Sequence, residues 1–310
     1  MQGSTRYNTI MSYTHTNFEW NWYDPDYTKV YDKLNQRFKQ LYSKSAFSLA
    51  GKARIATGHQ ILEVGAGTGV STEVLCKIVC NTGHIYMTDV SEQMLTLSRK
   101  HLNKYKNITT HRLNARDLPI FIQNNRLEGK LDRIFSSFGY YYIYKYEDIW
   151  MKAAFFALKQ GGILTFNVTN FLGEFKIDNK LYNSFVPMIH KNYDDFLKRK
   201  GFKKGIGQEV SSLVTDEKFT NIRNKLEAIE FNKIQMSVSY LPINCYEALV
   251  FMIEGFYKYG SSVNWSSTIQ SLPLRQRYKL LIEGAKSMQD ELMQLGEYPA
   301  IVDVIAQKDW

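Results

Sequence analysis

The feature that most constrains the fold is a glycine-rich turn between an apolar strand and a helix. Residues 60–64 form a short apolar segment, and residues 71–80 carry apolar side chains at helical spacing. Between them lies the sequence Gly65-Ala66-Gly67-Thr68-Gly69. Glycines permit a tight turn and close approach of a ligand, and the helix that follows presents amides and the positive end of its dipole. The turn therefore predicts a strand–helix unit with a ligand at this edge of a sheet.

The same alternation of strand and helix continues to about residue 170. Further strands are predicted at 84–88, 108–113, 132–136 and 163–168, with helices at 71–80, 92–105 and 149–158. Regularity returns after residue 231, with strands at 233–241 and 300–307 and helices at about 244–258 and 273–295. This pattern predicts an α/β fold with a doubly wound, mostly parallel, seven-stranded Rossmann-like sheet. N-terminal helices and a helical insertion before the sixth strand complete it.

The predicted organisation has four parts. They are an N-terminal extension and helical cap (1–57), a cofactor-binding core (58–170), a helical insertion over the substrate pocket (171–231) and the completion of the core sheet (232–310).

Composition excludes several classes of protein. The 310 residues carry a formal charge of +9, but no run of five basic residues occurs, so a nucleic-acid partner is not favoured. The basic cluster at 198–204 is either a solvated helix end or a contact for a phosphate, a diphosphate or an acidic carrier protein. Three cysteines without metal spacing predict neither a disulfide framework nor a metal site. No apolar stretch approaches a membrane span and no signal peptide is evident, so we expect a cytoplasmic protein with no membrane partner.

Aromatic residues reach 14% of the chain, with 21 Tyr and 18 Phe. Two interpretations stay open at this point. One is aromatic packing of the core, and the other is an aromatic-lined pocket for an apolar or cationic ligand.

Asp89 ends the second predicted strand, 20 residues after Gly69. A carboxylate there can accept hydrogen bonds from both hydroxyls of a ribose. Ser91 can cap the following helix, which leaves Asp89 for a ligand. After the third strand, the segment Asn114-Ala115-Arg116-Asp117-Leu118-Pro119 can present a polar edge to adenine.

The turn distinguishes between nucleoside cofactors. A dinucleotide-binding turn has the spacing Gly-x-Gly-x-x-Gly, whereas here the third glycine comes one residue early, at Gly69. Glu63 precedes the glycines and would repel a pyrophosphate, so NAD is disfavoured. S-adenosylmethionine (SAM) carries no phosphate, and Glu63 can engage its positively charged amino end directly or through water. These residues favour SAM.

At this point the chain resembles the class I SAM-dependent methyltransferases, and within them the ubiquinone/menaquinone-methyltransferase-like group that acts on small molecules and natural products. The resemblance rests on residues 61–69, 88–95, 115–119 and 158–162 in the family's order. It implies that Gly65, Ala66, Gly67 and Thr68 pass under the methionine part, and that Ser136 and Ser137 line its end. Asp89 would hold the ribose, Val90 and Met94 would pack on adenine, and Ala115 and Arg116 would present backbone to the adenine edge. Asn114 replaces the family's usual Asp and can still accept a bond from the adenine amino group.

Residues for the acceptor are less defined, because methyl transfer requires alignment and exclusion of water more than a particular base. Tyr140, Tyr141 and Tyr142 follow the fourth strand and are candidates, the first two for catalysis and the third for substrate binding, although a loop that only packs is an equal alternative. The second candidate group for the pocket is the N-terminal aromatic set of Trp20, Trp22, Tyr23, Tyr27 and Tyr31, for each of which plain packing is the alternative. Within it, Trp20 and Tyr23 are candidate substrate contacts and Tyr27 is a candidate contact to the methionine carboxylate. His190, in the insertion, is a candidate base, although a lone His is more often a packed or surface residue.

Three functions remain in competition. The first is an enzyme that moves a methyl group from SAM, leaving S-adenosylhomocysteine (SAH), to O, N or C of a small apolar or aromatic metabolite in secondary metabolism. The second is methylation of a macromolecule such as tRNA or protein. The third is a non-catalytic SAM-binding protein, which the intact glycine turn and Asp89 disfavour.

Overall fold

A seven-stranded sheet forms the centre of the molecule. The computed structural model describes residues 25–169, 175–177, 180–182, 186–202, 216–255 and 272–309. Its strands are β1 (Gln60–Val64), β2 (His84–Asp89), β3 (Ile108–Arg112), β4 (Leu131–Ser136), β5 (Leu158–Thr169), β8 (Phe231–Asn244) and β9 (Glu297–Lys308). They lie in the order β3-β2-β1-β4-β5-β9-β8, and β9 alone runs opposite to the other six strands. The α/β, Rossmann-like, mostly parallel sheet is confirmed.

The strand order places a ligand-binding edge between β1 and β4. From β1 the chain builds outward through β2 to β3, then returns to place β4 on the other side of β1. The loops after β1 and β4 therefore leave the sheet in opposite directions. Ligands bind at such a topological switch point in open parallel sheets.

Helices cover both faces of the sheet and its carboxyl edge. In chain order they are α1 (Pro25–Arg37), α2 (Lys39–Lys52), α3 (Val70–Val79), α4 (Glu92–His101), α5 (Leu118–Asn124), α6 (Tyr140–Ile143), α7 (Glu147–Ala157), α8 (Val186–Arg199), α9 (Asp216–Ala228), α10 (Cys245–Gly255), α11 (Leu274–Lys286) and α12 (Gln289–Gln294). The sequence did not indicate α5 or α6, which are only seven and four residues long. Such short helices contain too few turns for a periodic pattern.

Two apolar clusters fill the two sides of the sheet, because successive side chains of a strand point to opposite faces. Leu62 of β1 belongs to one cluster, with Trp150 and Phe166. Its neighbour Ile61 belongs to the other, with Leu75 and Phe135. The core strands are buried on both faces, as parallel strands between two layers of helices require.

A third cluster lies over the carboxyl edge and is built by helices that are far apart in sequence. Leu34 and Tyr42, from α1 and α2, pack in it with Tyr193 of α8, Phe251 of α10 and Leu281 of α11. Phe38 and Phe251 meet edge to face with ring centroids 5.1 Å apart. The helices of this cluster, defined here as the cap, surround the region where the glycine turn lies.

The insertion before the sixth core strand, predicted to be mostly helical, has short strands as well as helices among its described residues. It contains a hairpin of β6 (Phe175–Ile177) and β7 (Lys180–Tyr182) besides α8 and α9. These strands have three residues each, below the length at which alternation is readable. The helix α9 contributes Phe219, Ile222 and Leu226 to the sheet core, whereas α8 packs in the cap.

The fifth strand begins earlier than expected. The sequence predicts a strand at 163–168, but β5 already starts at Leu158, which pairs with Leu131. The register then shifts before Ile163 pairs with Arg133. Gly161 has a φ of +73°, so the glycines form an irregularity within the strand rather than a turn ahead of it.

No helix in the described ranges is long and apolar enough to cross a bilayer.

None of the three cysteines forms a disulfide bond. Cys76 is buried on α3, whereas Cys80 is exposed beyond the helix end, at a φ of +55°. The two do not share one packed face.

Candidate functional site

A cavity opens at the carboxyl edge of the sheet, where β1 and β4 diverge. Its wall is formed by the loops after β1, β2, β3 and β4, by the first two helices and by the segment 141–146. The residues that line the cavity include Tyr31, Asn35, Tyr42, Val64, Gly65, Ala66, Gly67, Thr68, Ser71, Asp89, Val90, Met94, Leu113, Asn114, Ala115, Ser137, Phe138, Gly139, Tyr141, Tyr142, Tyr144, Lys145 and Tyr146. Most of the residues expected to hold a cofactor meet in this one cavity.

The glycine turn is held in shape by β2. The amides of Gly65 and Ala66 both donate to the Thr88 carbonyl at 3.0 Å. Gly65, Gly67 and Gly69 all have positive φ, at +74°, +56° and +87°, which glycine adopts at no steric cost. A Cβ on Gly69 would lie 2.8 Å from Leu102 Cδ1, so this glycine also lets α3 pack closely on α4. A Cβ on Gly67 would meet no atom within 4 Å, which leaves room for a ligand.

Asp89 lies beside this turn and is only 9% exposed. Its Oδ2 accepts from the Gly67 amide at 2.8 Å and its Oδ1 from the Ser91 amide at 2.9 Å. Burial raises the pKa of Asp89, and the amide hydrogen bonds oppose that shift. Ser91 caps α4 by accepting from the Met94 amide at 3.3 Å, as expected. Each carboxylate oxygen has a second lone pair, so Asp89 can still accept two hydroxyl groups.

The structure corrects the predicted role of Glu63 as a contact to the amino end of the cofactor. Its side chain is 0% exposed and does not line the cavity. The carboxylate instead accepts from Ser71 Oγ at 2.5 Å and from Thr72 Oγ1 at 2.6 Å, at the start of α3. Ser71 is the residue of this group that reaches the cavity wall. Glu63 therefore holds the first turn of α3 rather than contacting a ligand's amino group directly.

The segment after β3 forms the far end of the cavity. Asn114 Oδ1 accepts from the Arg116 amide at 3.1 Å and so shapes the short 3-10 turn that follows. Asn114 and Ala115 line the cavity, but Arg116 does not, and its exposed side chain lies 3.6 Å from Asp117. Val90, Met94 and Leu113 supply an apolar surface next to this polar edge. Such a surface and edge suit a flat nitrogen heterocycle.

The loop after β4 crosses the glycine turn closely. A Cβ on Gly139 would lie 2.5 Å from Ser136 Oγ and 3.1 Å from the Val64 carbonyl. The Phe138 amide donates to Asn167 Oδ1 at 2.7 Å, with Phe138 at a φ of +58°. Ser137 lines the cavity as expected, whereas Ser136 is fully buried behind it.

Of the three tyrosines after β4, Tyr141 and Tyr142 line the cavity and Tyr140 does not. Tyr140 is 1% exposed, stacks on Phe166 with centroids 4.9 Å apart, and donates its hydroxyl to Glu147 Oε2 at 2.5 Å. It anchors the segment in the core and is not placed to touch a substrate. Tyr144, Lys145 and Tyr146 extend the wall, and sequence reasoning missed them. The continued run of aromatic residues through 146 was the signal available.

The first two helices supply Tyr31, Asn35 and Tyr42. Tyr31 belongs to the N-terminal aromatic set that the sequence offered for the pocket, whereas sequence reasoning missed Asn35 and Tyr42. Asn35 Nδ2 donates to Thr68 Oγ1 at 3.0 Å and so ties α1 to the glycine turn. Tyr31 makes hydrogen bonds with Tyr42 and Asn35; burial raises its pKa, and the charge of Asp89 raises it further. Tyr31 and Asn35 are four residues apart, a spacing that places both on one helix face.

Four of the expected site residues cannot be compared with the cavity. Trp20 and Tyr23 lie outside the described residues. Tyr27 on α1 and His190 on α8 are described only by their backbone.

The basic cluster at 198–204 contains two lysines with carboxylate partners. Lys198 lies 3.7 Å from Asp195, and Lys200 lies 3.1 Å from Glu283. These two cations meet carboxylates of the chain itself.

The wall fits a nucleoside joined to an amino acid. One end offers the apolar surface and polar edge described above, and the middle offers the Asp89 carboxylate. Near the glycine turn, Asn35 Oδ1 and Ser137 Oγ are buried polar atoms with no hydrogen-bond partner among the described residues. Buried polar groups are normally paired, so these two atoms indicate a ligand that pairs with them.

A family comparison agrees with this geometry. Residues 61–162 match the methyltransferase domain family. The matched range is about a third of the chain, and it contains the glycine turn, Asp89 and the Asn114–Ala115 edge. It does not contain α1, from which Tyr31 and Asn35 come.

Curated relatives match over short stretches. The protein-L-isoaspartate O-methyltransferase of Methanosarcina mazei is 40% identical over 57 residues, which are 18% of this chain and 24% of that protein. A ubiquinone/menaquinone biosynthesis C-methyltransferase of Burkholderia multivorans is 37% identical over 57 residues, 18% of this chain and 23% of that protein. The chain thus spans about a quarter of the length of these relatives.

Among solved structures, the chain is similar to one in the complex between the Trm112 methyltransferase activator of Haloferax volcanii and a methyltransferase. The TM-score is 0.52 at 11% identity, and the likeness covers 92% of this chain and 97% of that chain. At this identity the likeness shows a common fold. Residues 61–162 thus match the methyltransferase domain family, and the chain shares the fold of that solved structure.

Proposed function

We propose that the protein is a SAM-dependent methyltransferase that transfers a methyl group to O, N or C of a small, apolar or aromatic metabolite, as in secondary metabolism. The observation that carries the proposal is one cavity in which a nucleoside-binding half meets an aromatic half. The glycine turn, Asp89 and Asn114 form the first half, and the segment from Tyr141 to Tyr146 forms the second. The methyltransferase domain match supports SAM as the cofactor.

The residues of the first half have complementary roles towards the cofactor. Asp89 would accept the two ribose hydroxyls, with Val90, Met94 and Leu113 against the adenine. Asn114 and Ala115 would present the polar edge that faces it. The glycine turn, Asn35 and Ser137 would surround the methionine end, where the structure leaves two buried polar atoms for it.

When bound, the cofactor supplies an electrophilic methyl group on a sulfonium centre. The protein's own contribution is to align the acceptor and to exclude water, which displacement at such a centre requires. Tyr141 and Tyr142 form the wall at which the acceptor would lie, with ring centroids 5.4 Å apart. The Tyr141 phenol is neutral at pH 7 because its ordinary pKa is about 10 and burial raises it further, so its hydroxyl would position the acceptor by hydrogen bonding. A base is not required of it, and His190 remains the candidate for that role.

The cofactor assignment is tested by thermal unfolding with and without ligand. SAM and SAH should each raise the melting temperature, because a ligand that binds only the folded state stabilises it. ATP and NAD serve as controls and should have no effect. The absence of a shift at saturating SAH would refute the proposal.

Asp89→Asn tests the ribose contact. The change keeps the shape but removes the charge, so SAH affinity measured by calorimetry should fall about 10- to 100-fold. Asp290→Asn, on the exposed first turn of α12, is the matched control and should bind SAH as the wild type does. Equal affinity of the Asp89 variant would show that the ribose lies elsewhere.

The acceptor class is tested with SAM that carries a labelled methyl group. Incubation with a metabolite extract, with tRNA and with unfractionated protein should place the label in the small-molecule fraction. Label in tRNA or protein would favour the macromolecular alternative, and the relative from Methanosarcina mazei is itself named as a protein methyltransferase. SAH binding without any transfer would favour a non-catalytic SAM-binding protein.

A further inference from the structure

A second groove lies away from the cofactor cavity, between the carboxyl end of α2 and the strands β8 and β9. None of the described residues lines both. The described residues that line this groove, defined here as the basic groove, are three cations, two amides and one isoleucine, with no carboxylate among them. They are Lys52, Arg54, Lys233, Gln235, Ile305 and Gln307.

The charge of Lys52 is already balanced within the chain. Its Nζ lies 2.6 Å from Asp303 Oδ2 and donates to the hydroxyl groups of Ser237 and Ser239 at 2.9 and 2.7 Å. These three contacts use all three donors of the ammonium group. Asp303 is only 1% exposed, so this ion pair holds the end of α2 against β8 and β9.

The other two cations of the basic groove are not balanced in this way. Within the described ranges, neither Arg54 nor Lys233 has a carboxylate within 4 Å, and the one side-chain hydrogen bond of Arg54 goes to Gln307 Oε1 at 3.4 Å. The charge of Arg54 also acts on its neighbour Arg133. Burial lowers the pKa of Arg133 to about 10, with Asp132 opposing and Arg54 adding to that shift. Two positive charges therefore face the groove.

The backbone bends at both of these cations. Arg54 has a φ of +51° and Lys233 a φ of +49°, in the left-handed region that side chains other than glycine rarely adopt. The pairing of β8 with β9 also shifts register between Asn232 and Gln235, which places Lys233 in a bulge. Bulges redirect side chains, and such conformations concentrate at functional sites. Both unusual conformations occur at cations of one groove, which indicates a ligand there.

We propose that the basic groove is a phosphate-binding site, in which Arg54 and Lys233 hold a phosphate group, either free or as the monoester of a small molecule. A phosphate monoester carries a charge of about −1.5 to −2 at pH 7 and three acceptor oxygens, which matches two unbalanced cations. Gln235 adds an amide donor, and Ile305 adds an apolar surface for an organic group. This site does not depend on the proposed function, because it lies outside the cofactor cavity.

The test is calorimetric titration of the whole protein at constant ionic strength with three probes. Phenyl phosphate is a monoester, inorganic phosphate is the free group, and benzoate is an aromatic anion with a single charge. Both phosphate probes should bind about tenfold tighter than benzoate, because only they carry the charge and the oxygens for both cations. Added salt should weaken them, and saturating SAH should not. The tighter of the two phosphates identifies the source of the group.

Variants then locate the site. Arg54→Gln and Lys233→Gln should each weaken phosphate binding about tenfold and leave SAH affinity unchanged. Arg126→Gln is the matched control for arginine, since Arg126 is exposed and has nearly the same backbone conformation, at a φ of +53°. Lys44→Gln, at an exposed lysine of α2, is the control for lysine. Both controls should bind phosphate as the wild type does.

Three results would overturn the inference. They are phosphate that binds no tighter than benzoate, phosphate that competes with SAH, and phosphate that binds both groove variants as it binds the wild type. A double-stranded oligonucleotide that binds tighter than phenyl phosphate, and loses that affinity in both variants, would also overturn the assignment to a small molecule. Failure of SAH to bind would refute the proposed function alone.

Discussion

At the scale of single residues, two carboxylates near the glycine turn have different tasks because their surroundings differ. Asp89 lies at the cavity wall and accepts two backbone amides, which leaves lone pairs for a ligand. Glu63 is enclosed and accepts two hydroxyl groups of α3. Sequence position alone suggested a ligand contact for both. The distinction depends on where each residue lies along its strand: Asp89 is the last residue of β2, at the carboxyl edge, whereas Glu63 comes before the end of β1 and is covered by the first turn of α3.

Glu63 should make stability depend on pH. Burial raises its pKa from 4.5 to about 7, against the opposing hydroxyl bonds of Ser71 and Thr72. Because the folded state holds this proton more tightly than the unfolded state, the contribution of Glu63 to stability is fully present below pH 4.5 and is lost as pH rises to about 7. Glu63→Gln should remove up to ~3 kcal/mol of this loss and so unfold later than the wild type at pH 8. Urea unfolding of the wild type and of Glu63→Gln at pH 5, 6.5 and 8 measures the free energy of unfolding at each pH.

Glu73, on the helix α3 whose first turn Glu63 holds, is a control whose pKa shift has the opposite sign. Its bonds to Lys39 and Lys77 lower its pKa to about 2, so its contribution is present above pH 4.5 and lost as pH falls towards 2. Glu73→Gln should lower stability by a similar amount at pH 6.5 and pH 8. An equal slope between these two pH values for wild type and Glu63→Gln would contradict the burial argument.

At the scale of elements, the site depends on the contact between the loop after β1 and the loop after β4. A Cβ on Gly65 would lie 3.4 Å from the Gly139 Cα. Glycine at Gly65 was predictable from the turn, because the strand–turn–helix pattern is local. The need for Gly139 was not, because it arises from a crossing of segments about 70 residues apart in sequence.

Gly139→Ala should destabilise the protein by about 1–3 kcal/mol through overpacking. The added methyl group would meet Ser136 Oγ at 2.5 Å, and this serine is fully buried and has little room to move. Gly51→Ala is the control, since a Cβ there meets nothing within 4 Å and alanine favours the helix α2. Chemical unfolding should show a loss only for Gly139→Ala. An unchanged free energy of unfolding for Gly139→Ala would mean that the loops after β1 and β4 can move apart to make room for the methyl group.

At the scale of the whole molecule, the cap connects distant parts of the chain to the cofactor half. Asn35 joins α1 to Thr68 of the glycine turn, and Tyr42 meets Phe138 edge to face with centroids 5.0 Å apart. The same cluster includes residues of α8, α10 and α11. A ligand held by the turn would therefore also stabilise the position of α1.

Saturating SAH should slow amide hydrogen exchange at the carboxyl edge and in α1. Local opening of the binding loops competes with binding, so the ligand suppresses it there most strongly. We expect the largest protection in residues 28–37, 65–69, 89–91 and 114–117, measured by mass spectrometry. The turn at residues 57–59, at the opposite edge of the sheet, serves as the internal reference. Protection confined to the glycine turn would show that α1 does not take part.

The sequence by itself determined the alternating strands, the glycine turn, Asp89 and its distance from Gly69, because each depends on contacts between residues close in the chain. It also indicated Asn114, Ala115 and Ser137 through their positions after strands. Only the tertiary structure decided that Asn35 and Tyr42 join Tyr31 in the wall, that Tyr140 is buried and that Glu63 does not reach the cavity. Those outcomes depend on the packing of helices far apart in sequence, which periodicity does not encode.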